Sequence, residues 1–490
     1  MIGLIPAAGR GVRAYPYTEN TPKCMLRLAG KPILEYNIRR LVSQLGVEKL
    51  YIVLGDHASV VMEHFGDGAA FGIEIEYLRN DRIHLGLAYS VYLARQHITQ
   101  PFAMALSDEM YLDASIEGLR TLDWNDSLAV CCLTRTERVN AIRKNYTVDI
   151  HSDFITRIIE KPQHVTDHIQ GCGTYLLRPE IFDFIHKVYN REVNVHFDFM
   201  TILDHAIQAG RKVRPFFIGG HYVNINTKDD LNLANYLMRD RTFDEARTSV
   251  VIPALNEESL IGRVVRAYKT SPHVDEVIVV STGSTDRTAE VATSAGARVI
   301  ENPDASEYGA KIRAGLDAAT GDILIITEAD DCYTSRDIPK FLAYLRDADM
   351  VVGTRTTKQL IEQASNMRGL LRWGNILMGK VVEAAYHSYG PRFTDVGCMY
   401  RALWRYTYLE VRDQLSAPGQ EFAVEMLVEL MRARRRIIEV PVSYYARQGG
   451  ESSRHKTFLS NMLVAARMFQ EIVKGYRLSD SIQIDSRRRQ

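Results

Sequence analysis

The chain has 490 residues, with 60 Lys and Arg against 60 Asp and Glu, so its formal net charge is zero. With this balance, no overall electrostatic field favours binding to nucleic acid or to a membrane. No stretch reaches the roughly 18 apolar residues of a membrane span, and no signal peptide precedes the first apolar segment. The six cysteines form no CxxC pair, which predicts reduced thiols rather than zinc ligands. We therefore expect a cytoplasmic protein of two or three domains.

The first predicted element is a buried strand, Ile2–Pro6, followed by a glycine-rich turn. Gly9 and Gly11 let backbone N–H groups approach a phosphate chain closely. Arg13 and Lys23 then bring fixed positive charge to the same anion. The pattern predicts a triphosphate-binding turn, and the residues that we expect to contact the nucleotide are Ala8, Gly9 and Gly11.

Apolar strands and amphipathic helices alternate along the first half, with strands at Leu50–Leu54 and Phe102–Leu106 and a helix at Ile33–Leu45. Such alternation predicts largely parallel sheets with helices on both faces, and ligands bind beyond the carboxyl ends of the strands. Asp108 stands at such an end, where a carboxylate can hold a divalent metal. Asp108 is therefore the first candidate metal ligand.

The run Gly-x-Gly-x-Arg-x-x-Pro-x-Thr, followed by Pro22-Lys23, resembles the signature of the sugar-phosphate nucleotidyltransferases. These enzymes make NDP-sugars from an NTP and a sugar 1-phosphate. The resemblance covers roughly residues 1–238 and implies a Rossmann-like fold, dependence on Mg²⁺ (or Mn²⁺) and release of pyrophosphate. It leaves the base open among UTP, GTP, CTP and dTTP.

The same resemblance implies roles for further residues in the first half. Lys161 would contact the sugar phosphate, the preceding Glu160 would contact the same substrate, and Gly173 would open the sugar pocket. Gly86 would approach the nucleobase. Asn224 would supply a second metal ligand, although an amide binds Mg²⁺ more weakly than a carboxylate. The predicted catalytic residues of this half are Arg13, Lys23, Asp108 and Lys161.

A polar, charged segment near residue 245 predicts a domain boundary, although the two halves are not close sequence repeats. The predicted organisation is a first domain over 1–240, a linker over 241–248, a second domain over 249–478 and a flexible basic tail over 479–490. We expect two Rossmann-like α/β/α domains in tandem.

The second half again alternates strands and helices, with predicted strands at Glu276–Val280, Ile323–Ile326 and Met350–Val352. Glu328 and Asp330 follow the second of these as an acid-x-acid pair. Residues i and i+2 of an extended chain face the same side, so these carboxylates can share one divalent ion. Such an ion bridges the diphosphate of a nucleotide sugar and stabilises the charge left when it departs.

The segments 250–258 and 325–331 resemble the family 2 glycosyltransferases, in the branch that contains dolichyl-phosphate mannose synthase. The resemblance implies a GT-A fold, and sugar transfer with inversion. Two departures stand out: Glu328 replaces the usual Asp, and Ser281-Thr282 replace aspartates that hold the base and ribose. They leave open whether this half catalyses or only binds. The positions that match the family's nucleotide site are Pro253, Asn256, Glu258 and Ser284.

Later residues of the second half match the acceptor side of these enzymes, and they are Arg355, Asp395, Glu421, Arg447 and Arg454. The arginines suit a phosphate acceptor, because guanidinium groups bind phosphate in bidentate fashion. A late His455 could complete a metal shell or lie on the surface. The apolar spacing over 459–476 predicts a helix, packed on its own domain rather than on a membrane surface.

Together these motifs predict a bifunctional enzyme that makes an NDP-sugar and transfers the sugar to an acceptor. Its partners would be an NTP, a sugar 1-phosphate, a nucleotide sugar and an unidentified acceptor, either a lipid phosphate or a soluble molecule. Peripheral contact with a membrane stays open. Two alternatives also stay open: a nucleotidyltransferase with a non-catalytic docking half, and a cytidylyltransferase for a non-sugar phosphate or phosphonate.

Overall fold

The computed structural model describes residues 1–9, 11–15, 17–19, 21–191, 195–361, 370–387, 392–448 and 462–475. The chain divides into two compact units, Met1–Met238 and Arg239–Gln490. None of the helices in these described ranges combines the length and the apolar character needed to cross a bilayer. All six cysteines are free and buried.

The first unit is built from thirteen strands and seven helices within its described residues. The strands are β1 (Ile2–Ala7), β2 (Arg27–Leu28), β3 (Lys31–Pro32), β4 (Lys49–Leu54), β5 (Glu74–Arg79), β6 (Phe102–Ala105), β7 (Glu109–Leu112), β8 (Ala129–Arg135), β9 (Tyr146–His151), β10 (Phe154–Glu160), β11 (Ile169–Leu177), β12 (Val213–Phe217) and β13 (His221–Asn224). The helices are α1 (Ile33–Leu45), α2 (Ala58–Phe65), α3 (Leu87–Tyr92), α4 (Val139–Lys144), α5 (Ile181–Arg191), α6 (Phe199–Gln208) and α7 (Lys228–Thr242), of which α7 continues past the unit boundary.

Seven strands of the first unit form one sheet in the order β5-β4-β1-β6-β11-β8-β12. Only β11 runs antiparallel to its neighbours in this sheet, among the residues that the structure describes. A separate ladder pairs β7 with β13 and joins the segment after β6 to the segment before α7. Helices cover the sheet, so its central strands are buried along almost their whole length.

The second unit contains seven strands and eight helices within its described residues. The strands are β14 (Thr248–Pro253), β15 (Glu276–Val280), β16 (Arg298–Ile300), β17 (Ile323–Ile326), β18 (Met350–Thr354), β19 (Arg401–Trp404) and β20 (Ile437–Pro441). The helices are α8 (Ile261–Lys269), α9 (Thr288–Ser294), α10 (Tyr308–Ala318), α11 (Ile338–Leu345), α12 (Leu370–Ala385), α13 (Arg405–Val411), α14 (Phe422–Arg432) and α15 (462–475).

The seven strands of the second unit form a sheet in the order β16-β15-β14-β17-β19-β18-β20, in which β19 is antiparallel. Counted along the chain, both sheets have the strand order 3-2-1-4-6-5-7 with the sixth strand reversed. The prediction of two α/β domains is confirmed. The shared topology was not visible in the sequence, because the two halves keep the pattern of apolar strands without keeping the residues.

The two units separate between Met238 and Arg239, inside α7. The segment predicted as a linker, 241–248, contains the end of α7, a 3₁₀ turn at Phe243–Glu245 and the first residue of β14.

Helix α15 occupies most of the segment that the apolar spacing predicted as a helix. Its C-terminal part packs on its own unit, where Ile472 is buried and its carbonyl accepts a hydrogen bond from the Tyr386 hydroxyl at 2.9 Å. Its N-terminal part exposes apolar side chains, with Leu463 63% exposed. The packed half agrees with the sequence analysis, and the exposed half does not.

Candidate active sites

A polar cluster in the first unit joins three segments that are distant in sequence. The Lys23 ammonium forms an ion pair with the Asp108 carboxylate and donates a hydrogen bond to Asn226 Oδ1 at 2.8 Å. The Arg13 guanidinium donates to the same oxygen, also at 2.8 Å. The structure therefore brings together both predicted cations and the predicted metal ligand. Asn226, which organises them, was not singled out from the sequence.

Asn224 joins this cluster through Asn226 rather than through Asp108. Its Oδ1 accepts a hydrogen bond from Asn226 Nδ2 at 2.7 Å, and its Nδ2 donates to Asn145 Oδ1 at 2.8 Å. The spacing Asn-x-Asn at the end of β13 was a usable signal, since i and i+2 face the same side of an extended chain.

The donor set around Asp108 fits a hard divalent cation, because a carboxylate and nearby amide oxygens are the ligands that Mg²⁺ prefers. Among the described residues, no three His, Cys, Asp or Glu side chains come together as a metal-binding group. A Mg²⁺ ion here would take its remaining ligands from substrate phosphate and water, as is usual for this ion. It would also have to displace the Lys23 ammonium from Asp108.

Lys161 lies in a turn with a left-handed backbone, at φ 46°. Its ammonium donates to Glu160 Oε1 at 2.8 Å and lies 3.9 Å from an Asp198 carboxylate oxygen. The hydrogen bond to Glu160 raises the pKa of the Lys161 ammonium, so it stays charged. Its backbone N–H donates to the carbonyl of Asn145 at 2.7 Å, which ties this turn to the residue that contacts Asn224.

A buried carboxylate lies directly behind Asp108. Glu109 accepts hydrogen bonds from the hydroxyls of Tyr111 and Tyr222 and, at 2.9 Å, from the Gly173 N–H. Burial, and then the neighbouring charge of Asp108, raise the pKa of Glu109 to about 7. A Cβ on Gly173 would lie 2.3 Å from Glu109 Oε1, so the close approach of this carboxylate requires a glycine there. The predicted contact of Gly173 with the sugar stays a prediction.

The two predicted nucleotide-binding turns of this unit need glycine for conformational reasons. Gly11 has φ 63°, and its carbonyl accepts a hydrogen bond from the Thr18 hydroxyl at 2.8 Å. Gly86 has φ 88°, and a Cβ there would lie 2.6 Å from the carbonyl oxygen of Phe197. A Cβ added to Gly9 would have no atom within 4 Å. Ala8, directly after β1, is buried.

In the second unit, the turns after β14 and β15 are hydrogen-bonded to each other. The Asn256 N–H donates to Ser284 Oγ at 3.2 Å, and Asn256 Oδ1 accepts from the Thr285 N–H at 2.8 Å. The Glu258 N–H donates to the Asp286 carboxylate at 3.1 Å. The structure therefore places Asn256, Glu258 and Ser284 together beyond Pro253, at the carboxyl ends of two parallel strands.

The residues that replace the usual aspartates bond within the same region. The Ser281 hydroxyl lies 3.0 Å from the Ser284 hydroxyl, and Thr282 Oγ1 accepts from the Asn302 N–H at 3.0 Å. Both side chains are buried.

Glu328 and Asp330 follow β17, and both remain partly exposed. The Tyr308 hydroxyl donates to Glu328 Oε1 at 2.8 Å, and Asp330 Oδ1 accepts from the Cys332 N–H at 3.2 Å. The next residue, Asp331, forms an ion pair with Arg263 instead. The two carboxylates are an oxygen donor set that fits Mg²⁺ or Mn²⁺.

Two of the predicted acceptor-side residues pair with each other. The Arg355 guanidinium makes a bidentate ion pair with Asp395, at 2.7 and 2.9 Å, and Asp395 is fully buried. Glu439 fixes this turn by accepting hydrogen bonds from the backbone N–H groups of Thr394 and Asp395. A phosphate that binds Arg355 in this arrangement would have to use the edge of the guanidinium that Asp395 leaves open.

The remaining acceptor-side candidates have separate environments. Arg447 makes a bidentate ion pair with Glu257, at 3.1 and 2.6 Å. Glu421 is buried, with Oε1 accepting from the Gly419 N–H at 3.1 Å and Oε2 making no hydrogen bond to the described part of the chain. Arg454 and His455 lie outside the described residues.

Family models match the chain in two places. The nucleotidyl transferase model matches residues 2–235, and the model for glycosyl transferase family 2 matches residues 249–393. The chain thus contains a segment that matches the nucleotidyl transferase family, followed in tandem by a segment that matches glycosyl transferase family 2. The domains predicted from the motifs are confirmed as to class.

Individual relatives agree with this assignment. The UTP–glucose-1-phosphate uridylyltransferase AglF of Haloferax volcanii is 28% identical over 244 residues, which is 49% of this chain and 98% of AglF. The low-salt glycan biosynthesis hexosyltransferase Agl6 of the same organism is 33% identical over 244 residues, covering 47% of this chain and 56% of Agl6. The bifunctional protein GlmU of Methanococcus maripaludis is 27% identical over 237 residues, covering 48% and 54%. The chain spans about half the length of the last two relatives.

Proposed function

We propose that the chain is a bifunctional enzyme, which makes an NDP-sugar from an NTP and a sugar 1-phosphate and transfers that sugar, with inversion, to an acceptor. The observation that carries the proposal is the cluster of Arg13, Lys23 and Asp108 around Asn226, in the unit that matches the nucleotidyl transferase family. The Glu328/Asp330 pair after β17 supports the second activity.

In the proposed first reaction, an oxygen of the sugar 1-phosphate attacks the α-phosphorus of the NTP, and pyrophosphate leaves. Lys23 and Arg13 neutralise the triphosphate and hold it in line with the attacking oxygen, while Lys161 holds the sugar phosphate. Lys23 would exchange Asp108 for phosphate oxygens when the nucleotide binds. A Mg²⁺ ion held by Asp108 and Asn224 would offset charge on the phosphates.

In the proposed second reaction, the bond between the sugar and the nucleoside diphosphate breaks as the acceptor attacks. Glu328 and Asp330 would hold a divalent ion that offsets the charge of the departing diphosphate. A phosphate acceptor is already ionised, whereas a hydroxyl acceptor needs a base. Asp395 is poorly suited to that task in the observed arrangement, because Arg355 engages both of its oxygens.

The test is a substrate panel with two separate readouts. The protein is incubated with Mg²⁺, each of UTP, dTTP, GTP and CTP, and a set of sugar 1-phosphates that begins with glucose 1-phosphate. Pyrophosphate reports the first activity, and nucleoside diphosphate reports the second when membranes or cytosolic metabolites are added as acceptors. Absence of pyrophosphate with every pair would contradict the first activity, and turnover only with CTP and a non-sugar phosphate would favour the cytidylyltransferase alternative.

A docking role for the second unit is the main alternative, and the environment of Ser281 and Thr282 favours it. Both side chains hydrogen-bond within the turn region and carry no charge for a base or ribose. Pyrophosphate release without any nucleoside diphosphate, across the whole acceptor panel, would support this alternative.

We expect residues 1–240 and 248–490 to fold separately, because each piece contains a complete seven-stranded sheet. Expressed alone, the first piece should release pyrophosphate at a rate within a few-fold of the full chain. Near-UV circular dichroism checks the packing of each piece. If both pieces are insoluble or lack fixed tertiary packing, the proposed division is wrong.

The proposed acceptor is a lipid-linked phosphate that the second unit meets at a membrane surface. The supporting observation is that α12 and α15 both expose large apolar side chains: Trp373 is 69%, Leu377 67% and Leu463 63% exposed. A Cβ on Gly397, close to Asp395, would lie within 4 Å of Asn375 on α12 and Met468 on α15. Both helices therefore border the Arg355–Asp395 pair.

We expect radiolabelled NDP-sugar incubated with membranes to yield label that is extracted into organic solvent and released by mild acid. Trp373→Ser together with Leu377→Ser should lower this transfer and leave pyrophosphate release unchanged, because these residues lie outside the first unit. Tyr344→Ser, which removes another exposed aromatic side chain of the second unit, is the control. Label confined to water-soluble product, unaffected by Arg447→Ala and Arg454→Ala, would contradict a lipid phosphate.

A further inference from the structure

A cavity of about 390 Å³ lies in the first unit beside Asn224. Its volume falls in the range of roughly 300–1,000 Å³ that is usual for small-molecule pockets. The polar part of its lining consists of four amide side chains, one tyrosine, two cations and one carboxylate. The polar lining residues used below are Arg138, Lys144, Asn145, Gln170, Asn224 and Asp230.

Gln170 is the unusual member of this lining. It lies on β11 opposite Thr134 of β8 and is only 2% exposed. Its side-chain amide makes no hydrogen bond to any residue that the structure describes. Buried amides are nearly always hydrogen-bonded, since desolvating an unpaired one is unfavourable. The Gln170 amide therefore points to a partner that occupies the cavity.

The amides of Asn145 and Asn224 differ from that of Gln170, because they already have partners. Asn145 and Asn224 bond to each other, and Asn224 also accepts from Asn226. A side-chain amide with an unused N–H donor and an unused oxygen acceptor suits a hydroxyl group, because a hydroxyl can both donate and accept a hydrogen bond. A ligand rich in hydroxyl groups would therefore satisfy Gln170 without breaking the network around Asn226.

Two residues of the lining, Asn224 and Asp230, contact Asn226 of the predicted catalytic cluster. Asn224 lines the cavity, and its partner Asn226 contacts both Lys23 and Arg13. A molecule with its phosphate near these cations could thus extend its other end into the cavity. The Arg138 guanidinium, which also lines the cavity, forms no ion pair with a described residue, whereas the Asp230 carboxylate is paired with Lys144 at 3.2 Å.

We propose that this cavity binds the hydroxylated ring of the phosphate substrate, with the Gln170 amide hydrogen-bonded to a ring hydroxyl. The inference rests on the proposed nucleotidyl transfer and deepens it, because it assigns Gln170 as a residue that determines which sugar 1-phosphate is accepted. Gln170 takes no part in the chemical step.

The test is Gln170→Met, which keeps the length of the side chain and removes the amide. With the NTP and sugar 1-phosphate that the wild type uses best, KM for the sugar 1-phosphate should rise at least tenfold. The kcat and the KM for the NTP should stay within twofold. Gln208→Met, on the exposed end of α6, is the matched control and should change none of these values. Gln170→Leu replaces the first variant if that one is insoluble.

An unchanged KM for the sugar 1-phosphate in a folded variant would overturn the assignment and would indicate that water alone occupies the cavity. A parallel loss of kcat and of affinity for the NTP would also overturn it, because that pattern indicates a general structural role.

If the wild type turns over no combination of NTP and sugar 1-phosphate, the proposed function itself fails. A binding measurement then tests the inference about Gln170. Glucose 1-phosphate with a non-hydrolysable UTP analogue should then raise the melting temperature of the wild type and of Gln208→Met, but not of Gln170→Met. An equal rise in all three proteins, or no rise in the wild type, would overturn the inference.

Discussion

Replacing Asp108 or Lys23 by Ala is expected to slow pyrophosphate release by about a hundredfold or more, with the chain still folded. Loss of one charged contact that stabilises the transition state costs on the order of 3 kcal/mol, which corresponds to about two powers of ten in rate. The two residues form an ion pair in the structure, and both are more than three-quarters buried. Their effects should therefore not add, and the double variant should be little slower than the worse single variant.

The measurement is the initial rate of pyrophosphate release at saturating NTP, sugar 1-phosphate and Mg²⁺. Asp153→Asn removes an acid from the exposed turn between β9 and β10 and should retain the full rate. Circular dichroism and the melting temperature separate lost chemistry from lost folding, because either substitution leaves the partner charge unpaired. Turnover close to that of the wild type in either folded variant would remove that residue from the mechanism.

Asn226→Ala extends the same test to the residue that the sequence did not reveal. Because Asn226 Oδ1 accepts from both Lys23 and Arg13, its removal should disorder two cations without removing either charge. We expect a smaller loss of rate than for Lys23→Ala, together with a higher KM for the NTP. A loss confined to kcat would indicate that Asn226 contacts the reacting atoms instead.

The strands and the turns that follow them could be predicted because each is encoded by a few adjacent residues. The predicted strands Glu276–Val280 and Ile323–Ile326 are β15 and β17 with the same bounds, and the predicted helix Ile33–Leu45 is α1. An apolar run followed by a polar turn is typical of such a strand wherever the chain lies in space. The candidate residues at the strand ends were found for the same reason.

The partners of charged side chains could not be predicted, because they depend on contacts between distant segments. Arg355 and Arg447 suggested phosphate binding, yet the structure pairs them with Asp395 and Glu257, the second of these 190 residues away. Burial has the same origin: nothing adjacent to Gln170 in the sequence indicates that its side chain is only 2% exposed and lines a cavity. These are tertiary properties, and the spacing of motifs carries no information about them.

The second large effect is expected in the other unit. Asp330→Asn and Glu328→Gln should each lower sugar transfer by about a hundredfold or more, because a metal ion that offsets the charge of the leaving diphosphate contributes several kcal/mol. Pyrophosphate release should be unchanged, since both residues belong to the second unit. Two products are measured in parallel. Release of nucleoside diphosphate is followed with a supplied NDP-sugar, and release of pyrophosphate is followed with NTP and sugar 1-phosphate.

Two further variants make this test specific to the geometry. Asp331→Asn changes the adjacent acid, whose carboxylate is paired with Arg263, and should preserve transfer. Glu328→Asp restores the residue usual in the family and should keep activity, whereas Glu328→Gln removes the charge without changing the size.

If Asp330→Asn also stops pyrophosphate release, the units are coupled and the proposed division of labour fails. If Asp330→Asn transfers sugar as fast as the wild type, Glu328 and Asp330 do not hold the ion, and the second unit must stabilise the leaving diphosphate with other residues.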